Sequence, residues 1–385
     1  MFCSNCGTEI PEGSRFCPSC GAAVGATKEM SASKVSERVV KGVGKAVDSF
    51  DVATGGSGHV DLRFSDLFSE TFKKHAKGDA EEVFICGTSS TTPDIHNVSS
   101  EWPHPWVWSR VLIVMVAVVF CCVALAQLKE TTDVLPSIMF LGSAAIPLSL
   151  LVFFFETNVW RNVSITETML LLLVGGLLAT LTMFFDSLFG FGDFIGYSGD
   201  FVESLVTSIV KLTSIAAITV LAMQQRSSGI SFLRSGRNYI LNGILIGSAI
   251  GAGFAIFDNS AVAFNRWYSF GLEGLSHAVF VLCVVSVARY VMWGAAIGGA
   301  LAMCEGDEGF DGEQLANPRF LIVAALCLVL HTLWYARLPV FDDVLVFFGE
   351  PLVKYAILAV VIWVVVTVLI SRGLSQVNEL TREES

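Results

Sequence analysis

From residue 107 onward the apolar residues come in runs of about twenty, the helix length that a bilayer core roughly 30 Å thick requires, with short polar stretches between them. Windows of that length predict eight spans, at 107–127, 134–155, 168–189, 201–223, 239–257, 277–303, 319–336 and 352–370. Before residue 107 the pattern changes. The run DLRFSDLFSETFKKHAKGDAEEVF, from Asp61, predicts one or two short amphipathic helices on which His75 belongs to a solvated face. Upstream of it, Val35, Val39, Val43, Val47 and Phe50 recur at near-helical spacing among Lys34, Arg38, Lys41 and Lys45. Gly42 and Gly44 weaken a helix there, so the segment reads as a flexible basic linker that could also lie on an anionic membrane surface. The expected organisation is a cysteine-bearing head at 1–24, the linker at 25–60, and a soluble amphipathic segment at 61–106. An eight-helix membrane domain at 107–370 and a cytoplasmic tail at 371–385 follow. The fold class is an all-α polytopic membrane protein with a small N-terminal head.

Composition agrees and narrows the function. Apolar residues make up 53% of the chain and charged residues 15%, with a mean hydropathy of +0.65, which argues against a water-soluble enzyme. Lys and Arg total 24 against 35 Asp and Glu, a net charge of −11, which argues against a nucleic-acid partner bound by phosphate neutralisation. The opening Met1-Phe2-Cys3 has neither a basic nor an apolar leader region, so no cleavable secretory signal is expected.

Of the ten cysteines, four form a pattern: Cys3-Ser4-Asn5-Cys6-Gly7 and Cys17-Pro18-Ser19-Cys20-Gly21. Two C-x-x-C-G turns at this separation can bring four thiolates to the corners of a tetrahedron around zinc, and the glycines permit the tight turns. So short a segment buries no core, so the metal must supply most of its folding free energy, on the order of 10 kcal/mol. A disulfide pair or a redox C-x-x-C are the alternatives. The pattern resembles the zinc-ribbon modules at the N-termini of many bacterial membrane proteins, in which Cys3, Cys6, Cys17 and Cys20 would hold a structural zinc.

Loop charge gives an orientation. With the N-terminus inside, Arg161, Arg226, Arg234, Arg237, Arg319, Arg372 and Arg382 fall in inner loops and the tail, whereas the outer loops hold Lys129, Arg266, Arg337 and Lys354. A cell-membrane protein with both termini cytoplasmic is expected. Gly243, Gly247, Gly251 and Gly253 in the fifth span, and Gly294 and Gly298 in the sixth, form small-residue faces on which helices can approach closely. Ionisable residues within spans each need a reason, because lipid gives them no partner. Glu203, Thr207 and Lys211 share a face of span four; Asp258 and Asn259 end span five; span six carries Arg289 and Tyr290, and span seven His331. Glu203, Asp258 and His331 all fall in the outer half of the membrane. A wet pocket with these groups could perform acid–base hydrolysis or hold a divalent metal.

At these residues the sequence resembles the PrsW family of intramembrane proteases, whose spans carry E-E-x-x-K, F-x-x-x-E, a histidine ahead of a W-x-A-x-x-G-like run, and H-x-x-x-D/N. Phe254-Ala255-Ile256-Phe257-Asp258 is similar to the second motif, with Asp for Glu, and Trp293-Gly294-Ala295-Ala296-Ile297-Gly298 to the third. WPHPWVWSR and FFFETNVWRNVSI are also reminiscent of the family. Aligned this way, Lys211 is the family lysine and His331 the last histidine. The glutamate pair is replaced by Thr207 and Ser208, the first histidine by Tyr290, and the final acid or amide by Tyr335. The resemblance, from about residue 102 to 335, implies a helical protease fold with Glu203, Lys211, Asp258 and His331 as remnant catalytic candidates. It also implies a second metal only if Glu203 stands in for a lost ligand. The leading reading is a catalytically degenerate homologue that binds a membrane protein or peptide and works with the zinc head in signalling. The alternatives are an active divergent intramembrane protease and a transporter; the prolines of span two, Pro136 and Pro147, lie away from the ionisable groups, which disfavours transport.

Overall fold

The computed structural model describes residues 32–383 except 59, 61–63, 77, 88–90, 129–131, 190–200, 229–235, 237, 287–288, 306–309, 311, 337, 343–345 and 348–349. The four head cysteines therefore lie outside the described residues. The chain divides after Phe50 into two compact units.

In the first unit the segment expected as a linker is helical: α1 is Ala32–Ala53, its last turn belonging to the second unit. Valine at every fourth position gives one apolar stripe, and two glycines, at about 1 kcal/mol each, do not outweigh it. Gly42 and Gly44 face open space.

The second unit opens with a turn at Gly55 (φ 95°). The Asp51 carboxylate accepts from Gly58 N–H at 3.0 Å and pairs with Arg372 at 3.3 Å. The short helices expected over 61–84 are present as a 3-10 turn at Phe64–Phe68 and α2 at Asp79–Phe84. His75 departs from the expected solvated face. Its ring stacks on Trp106 at 3.8 Å, and the Arg110 guanidinium lies 4.6 Å from the same indole while donating to the carbonyls of Thr71 and Lys73. These contacts lay the segment across the start of α3 (Trp106–Ala126).

Further along, Gly87 N–H donates to the Arg161 carbonyl, and the Cys86 thiol donates to Val163 O at 3.0 Å. Burial pushes this thiol up to about 11. The thiolate is the reactive form, so Cys86 in the folded protein should react with iodoacetamide at pH 8 roughly a hundredfold more slowly than a free thiol. Mass spectrometry before and after denaturation measures this; equal rates would contradict the burial.

The membrane helices are α3, α4 (Leu135–Thr157), α5 (Ile165–Phe189), α6 (Phe201–Ser228), α7 (Ile240–Ser286), α9 (Pro318–Tyr335) and α11 (Leu352–Glu383), seven among the described residues that are long and apolar enough to cross, with α8 (Tyr290–Met303) too short to do so alone. A short α10 (Pro339–Asp342) and a two-residue ladder, β1 (Val346–Phe347) with β2 (Glu350–Pro351), join α9 to α11. Helix ends follow local chemistry. Glu156, in the last turn of α4, accepts from the N–H groups of Val107 and Trp108 at 3.1 and 2.8 Å and so caps α3. Ser164 and Glu167 form a reciprocal capping box at the start of α5. Asn317 caps α9.

Two spans differ from expectation. The fifth does not stop at 257: α7 continues to Gly271, whose φ of 65° and ψ of −149° break the helix, and a second arm then runs to Ser286. The sixth, expected as one helix over 277–303, is cut at Arg289 (φ −91°, ψ −147°), so that this passage consists of the returning arm of α7 and then α8. The expected tail is also helical, because α11 continues to Glu383 with Leu374 and Val377 buried.

The α7 and α8 helices form the centre of the unit. A Cβ on Gly243 or Gly247 would run into the backbone carbonyl of Gly298 or Gly294, and one on Gly253 into that of Leu172 on α5. Backbone lies directly on backbone, as the small-residue faces predicted. Buried Arg226, at the end of α6, sits 3.5 Å from Glu167 at the start of α5, which places these two helix ends on one side.

Candidate functional site

In the middle of α6 the side chain of Lys211 turns into the bundle, about 15 Å along the axis from Phe201. It is 7% exposed and donates to Asp258 Oδ1 at 2.9 Å and to the Tyr290 hydroxyl at 3.2 Å. Asp258 sits on α7, where a helix entered at Ile240 has risen about 27 Å, and is 3% exposed. Its second oxygen accepts from Arg289 Nη2 at 2.9 Å. Arg289 is the residue at which α8 begins; Nη1 donates to Asn259 Oδ1 and Nη2 to the Tyr335 hydroxyl, both at 2.7 Å. The Tyr290 and Tyr335 hydroxyls are 2.6 Å apart. One carboxylate is thus clasped by two cations from different helices, with a phenol pair closing the ring.

His331, on α9 and fully buried, borders this ring, with its centroid 5.0 Å from that of Tyr335, 5.7 Å from Tyr290 and 4.3 Å from Trp293. Its Nδ1 is 2.7 Å from Ser208 Oγ. The tautomer follows from proton counting. Ser208 has one hydroxyl proton, which it gives to Ser204 O at 2.6 Å, so it accepts from His331 and Nδ1 carries the hydrogen. Nε2 then presents its lone pair to the interior, and no hydrogen-bond partner meets it among the described residues.

Three of the four residues expected to form the membrane site therefore converge: Lys211 and Asp258 in direct contact, and His331 one ring away. Glu203 does not join them. It lies two turns of α6 from Lys211, half-buried, and makes no hydrogen bond to any member of the cluster. Among the described residues no three His, Cys, Asp or Glu side chains come together in a group that could hold a metal. Arg289 is the member of the cluster that sequence reasoning left without a role. Its signal was an arginine within an apolar run, but the break that turns it towards Asp258 is described at Arg289, and no proline or glycine in the sequence just before it announces that break.

The sequence matches the zinc-ribbon domain family over residues 2–24, a stretch that contains Cys3, Cys6, Cys17 and Cys20. Four thiolates in two C-x-x-C pairs suit a closed, structural zinc site with no open position for substrate. No curated protein and no solved structure matches the chain. The comparisons thus assign the head, and the fold is that of a multi-pass α-helical membrane protein.

Proposed function

We propose that this is a PrsW-like membrane protein whose hydrolytic site has become a structural and recognition centre, acting on a membrane protein or peptide by binding, with the zinc head as its cytoplasmic reader. One observation carries the reading. The positions aligned with four separate family motifs, Ser208 and Lys211, Asp258, Tyr290, and His331 with Tyr335, lie on α6, α7, α8 and α9 yet meet in one buried cluster. Charged residues in a membrane interior seek one another in any fold, but Ser208, Tyr290 and Tyr335 carry no charge and join the cluster at positions aligned with the motifs, which supports a shared arrangement.

The chemistry at those positions supports loss of hydrolysis. A general base needs a free lone pair near a water-accessible bond. Both oxygens of Asp258 are taken by cations, the family glutamates are hydroxyl residues here, and His331 Nε2, which keeps a free lone pair, is fully buried away from solvent. The rival reading, an active protease using Glu203, Asp258 and His331 with Lys211 orienting them, needs Glu203 to cross two helical turns. Transport has one supporting observation, the broken passage at Arg289, because discontinuous helices line solute sites in transporters. The inner-loop arginines favour a cytoplasmic head and C-terminus.

The test is metal content and peptide cleavage by the full chain. We expect one zinc per chain, lost in a Cys3→Ser/Cys6→Ser variant, and no cleavage of a helical membrane peptide that the protein nevertheless retains. Cleavage abolished by Asp258→Ala or His331→Ala, or a second zinc that survives loss of the head cysteines, would establish the protease instead.

A further inference from the structure

The cluster's charges do not balance. Lys211 and Arg289 contribute two positive charges, and Asp258 is the one carboxylate hydrogen-bonded to either of them among the described residues. His331 donates from Nδ1 to Ser208 as a neutral ring and adds nothing, and Val287 and Ala288 carry no charge. One positive charge is left over in a membrane interior, where an uncompensated ion is costly.

The same place holds donors without acceptors. Helix α8, fourteen residues long, begins inside the protein, and the side chain of Arg289, at the N-cap position just before it, makes no cap. Its hydrogen-bond ladder opens with Met292 N–H to the Arg289 carbonyl, so the N–H groups of Tyr290 and Val291 precede the ladder while their residues are fully buried. Arg289 Nε, on a side chain 6% exposed, has no partner among the described residues, and neither has Trp293 Nε1 one turn further along the helix. An α-helix N-terminus carries about half a positive charge of its own. Surplus cation, open helix terminus and orphaned donors all belong to the start of α8, and each of them is satisfied by negative charge.

We infer that the start of α8 is a binding site for one monovalent anion, a halide or a carboxylate, held by Arg289 Nε, Trp293 Nε1 and the first-turn N–H groups, with Lys211 supplying the charge that retains it. This does not rest on the protease resemblance: it follows from charge count and unpaired donors alone. A monovalent anion brings the site to neutrality, whereas a divalent one would overshoot it.

The experiment uses the full chain in a non-ionic detergent, with sodium isethionate as the bulky background salt. Replacing isethionate stepwise by bromide in one series and by acetate in another, at constant ionic strength, separates halide from carboxylate. The melting temperature should rise saturably by about 2 °C or more in at least one series. Lys211→Met, which makes the remaining Arg289–Asp258 pair neutral, should abolish the rise. Trp293→Phe should raise the half-saturating concentration about tenfold, the worth of one lost hydrogen bond. Should Lys211→Met fail to fold, an anomalous bromide peak within hydrogen-bonding distance of Arg289 in crystals of the native protein decides the matter. A flat melting temperature in both series, an identical rise in Lys211→Met, an unmoved midpoint in Trp293→Phe, or, where bromide is the anion that raises the melting temperature, no bromide at Arg289 would overturn the assignment.

Discussion

Asp258→Asn should destabilise the membrane domain by about 3–5 kcal/mol, the range for removing one partner of a buried ion pair. The substitution keeps the shape and the α7 backbone. It leaves Lys211 and Arg289, at 7% and 5% exposure, facing an amide that can accept from them but cannot offset their charge. Unfolding of the purified protein in mild detergent measures the loss, and a double-mutant cycle assigns it. Lys211→Met alone should cost little, because Arg289 still neutralises Asp258, and Lys211→Met/Asp258→Asn should cost less than the sum of the singles by about 1–3 kcal/mol. Additive effects would mean that the three groups are not coupled through charge.

The second large effect is expected from the smallest possible substitution. Gly247→Ala adds one methyl group where the carbonyl of Gly294 already touches the α7 backbone. No side chain can swing away, so the two helices must separate along the whole Gly243–Gly247–Gly251 face. Overpacking of this kind costs about 3 kcal/mol or more when backbone has to move. The control is built into the chain: Gly44→Ala, in open space on α1, removes a helix-weakening residue and should stabilise that helix by about 1 kcal/mol. Monodispersity and thermal unfolding of the two variants should move in opposite directions. A Gly247→Ala protein as stable as the native one would remove the close packing of α7 on α8 from the account.

Much of the architecture was legible because lipid imposes so few solutions. A run of twenty apolar residues has one interpretation in a bilayer, so α3, α4, α5, α6, α9 and the start of α11 fall close to the windows read from hydropathy. Small residues four apart showed where two backbones would touch, although not which two. What hydropathy does not carry is continuity. The arm of α7 beyond residue 257 carries Asp258, Asn259, Asn265, Arg266 and Glu273 and so reads as a loop, whereas the break before α8 falls in a run as apolar as unbroken helix; the chain turns through the backbone of Gly271 and Arg289. The extension of α11 to Glu383 was missed for a related reason, since its polar residues hide Leu374 and Val377 within a stretch that reads as tail.

The site was half legible. Lys211, Asp258 and His331 stand out as costly residues, and cost is a sound guide to contact. Glu203 stood out equally and does not join them, because sharing a helix face says nothing about depth: two turns of α6 are about 12 Å, well beyond the reach of a glutamate. Arg289 could not be placed until the break supplied its direction.

That break also bears on how the chain enters the bilayer during synthesis. At fourteen residues, α8 is about 21 Å long, too little for an insertion channel to release it sideways as a self-sufficient segment, and an arginine precedes it. Asp258, however, leaves the ribosome thirty-one residues before Arg289, so its carboxylate can already be at membrane depth when the guanidinium arrives. Translation order thus delivers the counter-ion first, and the later half-helix can follow it in as part of a pair.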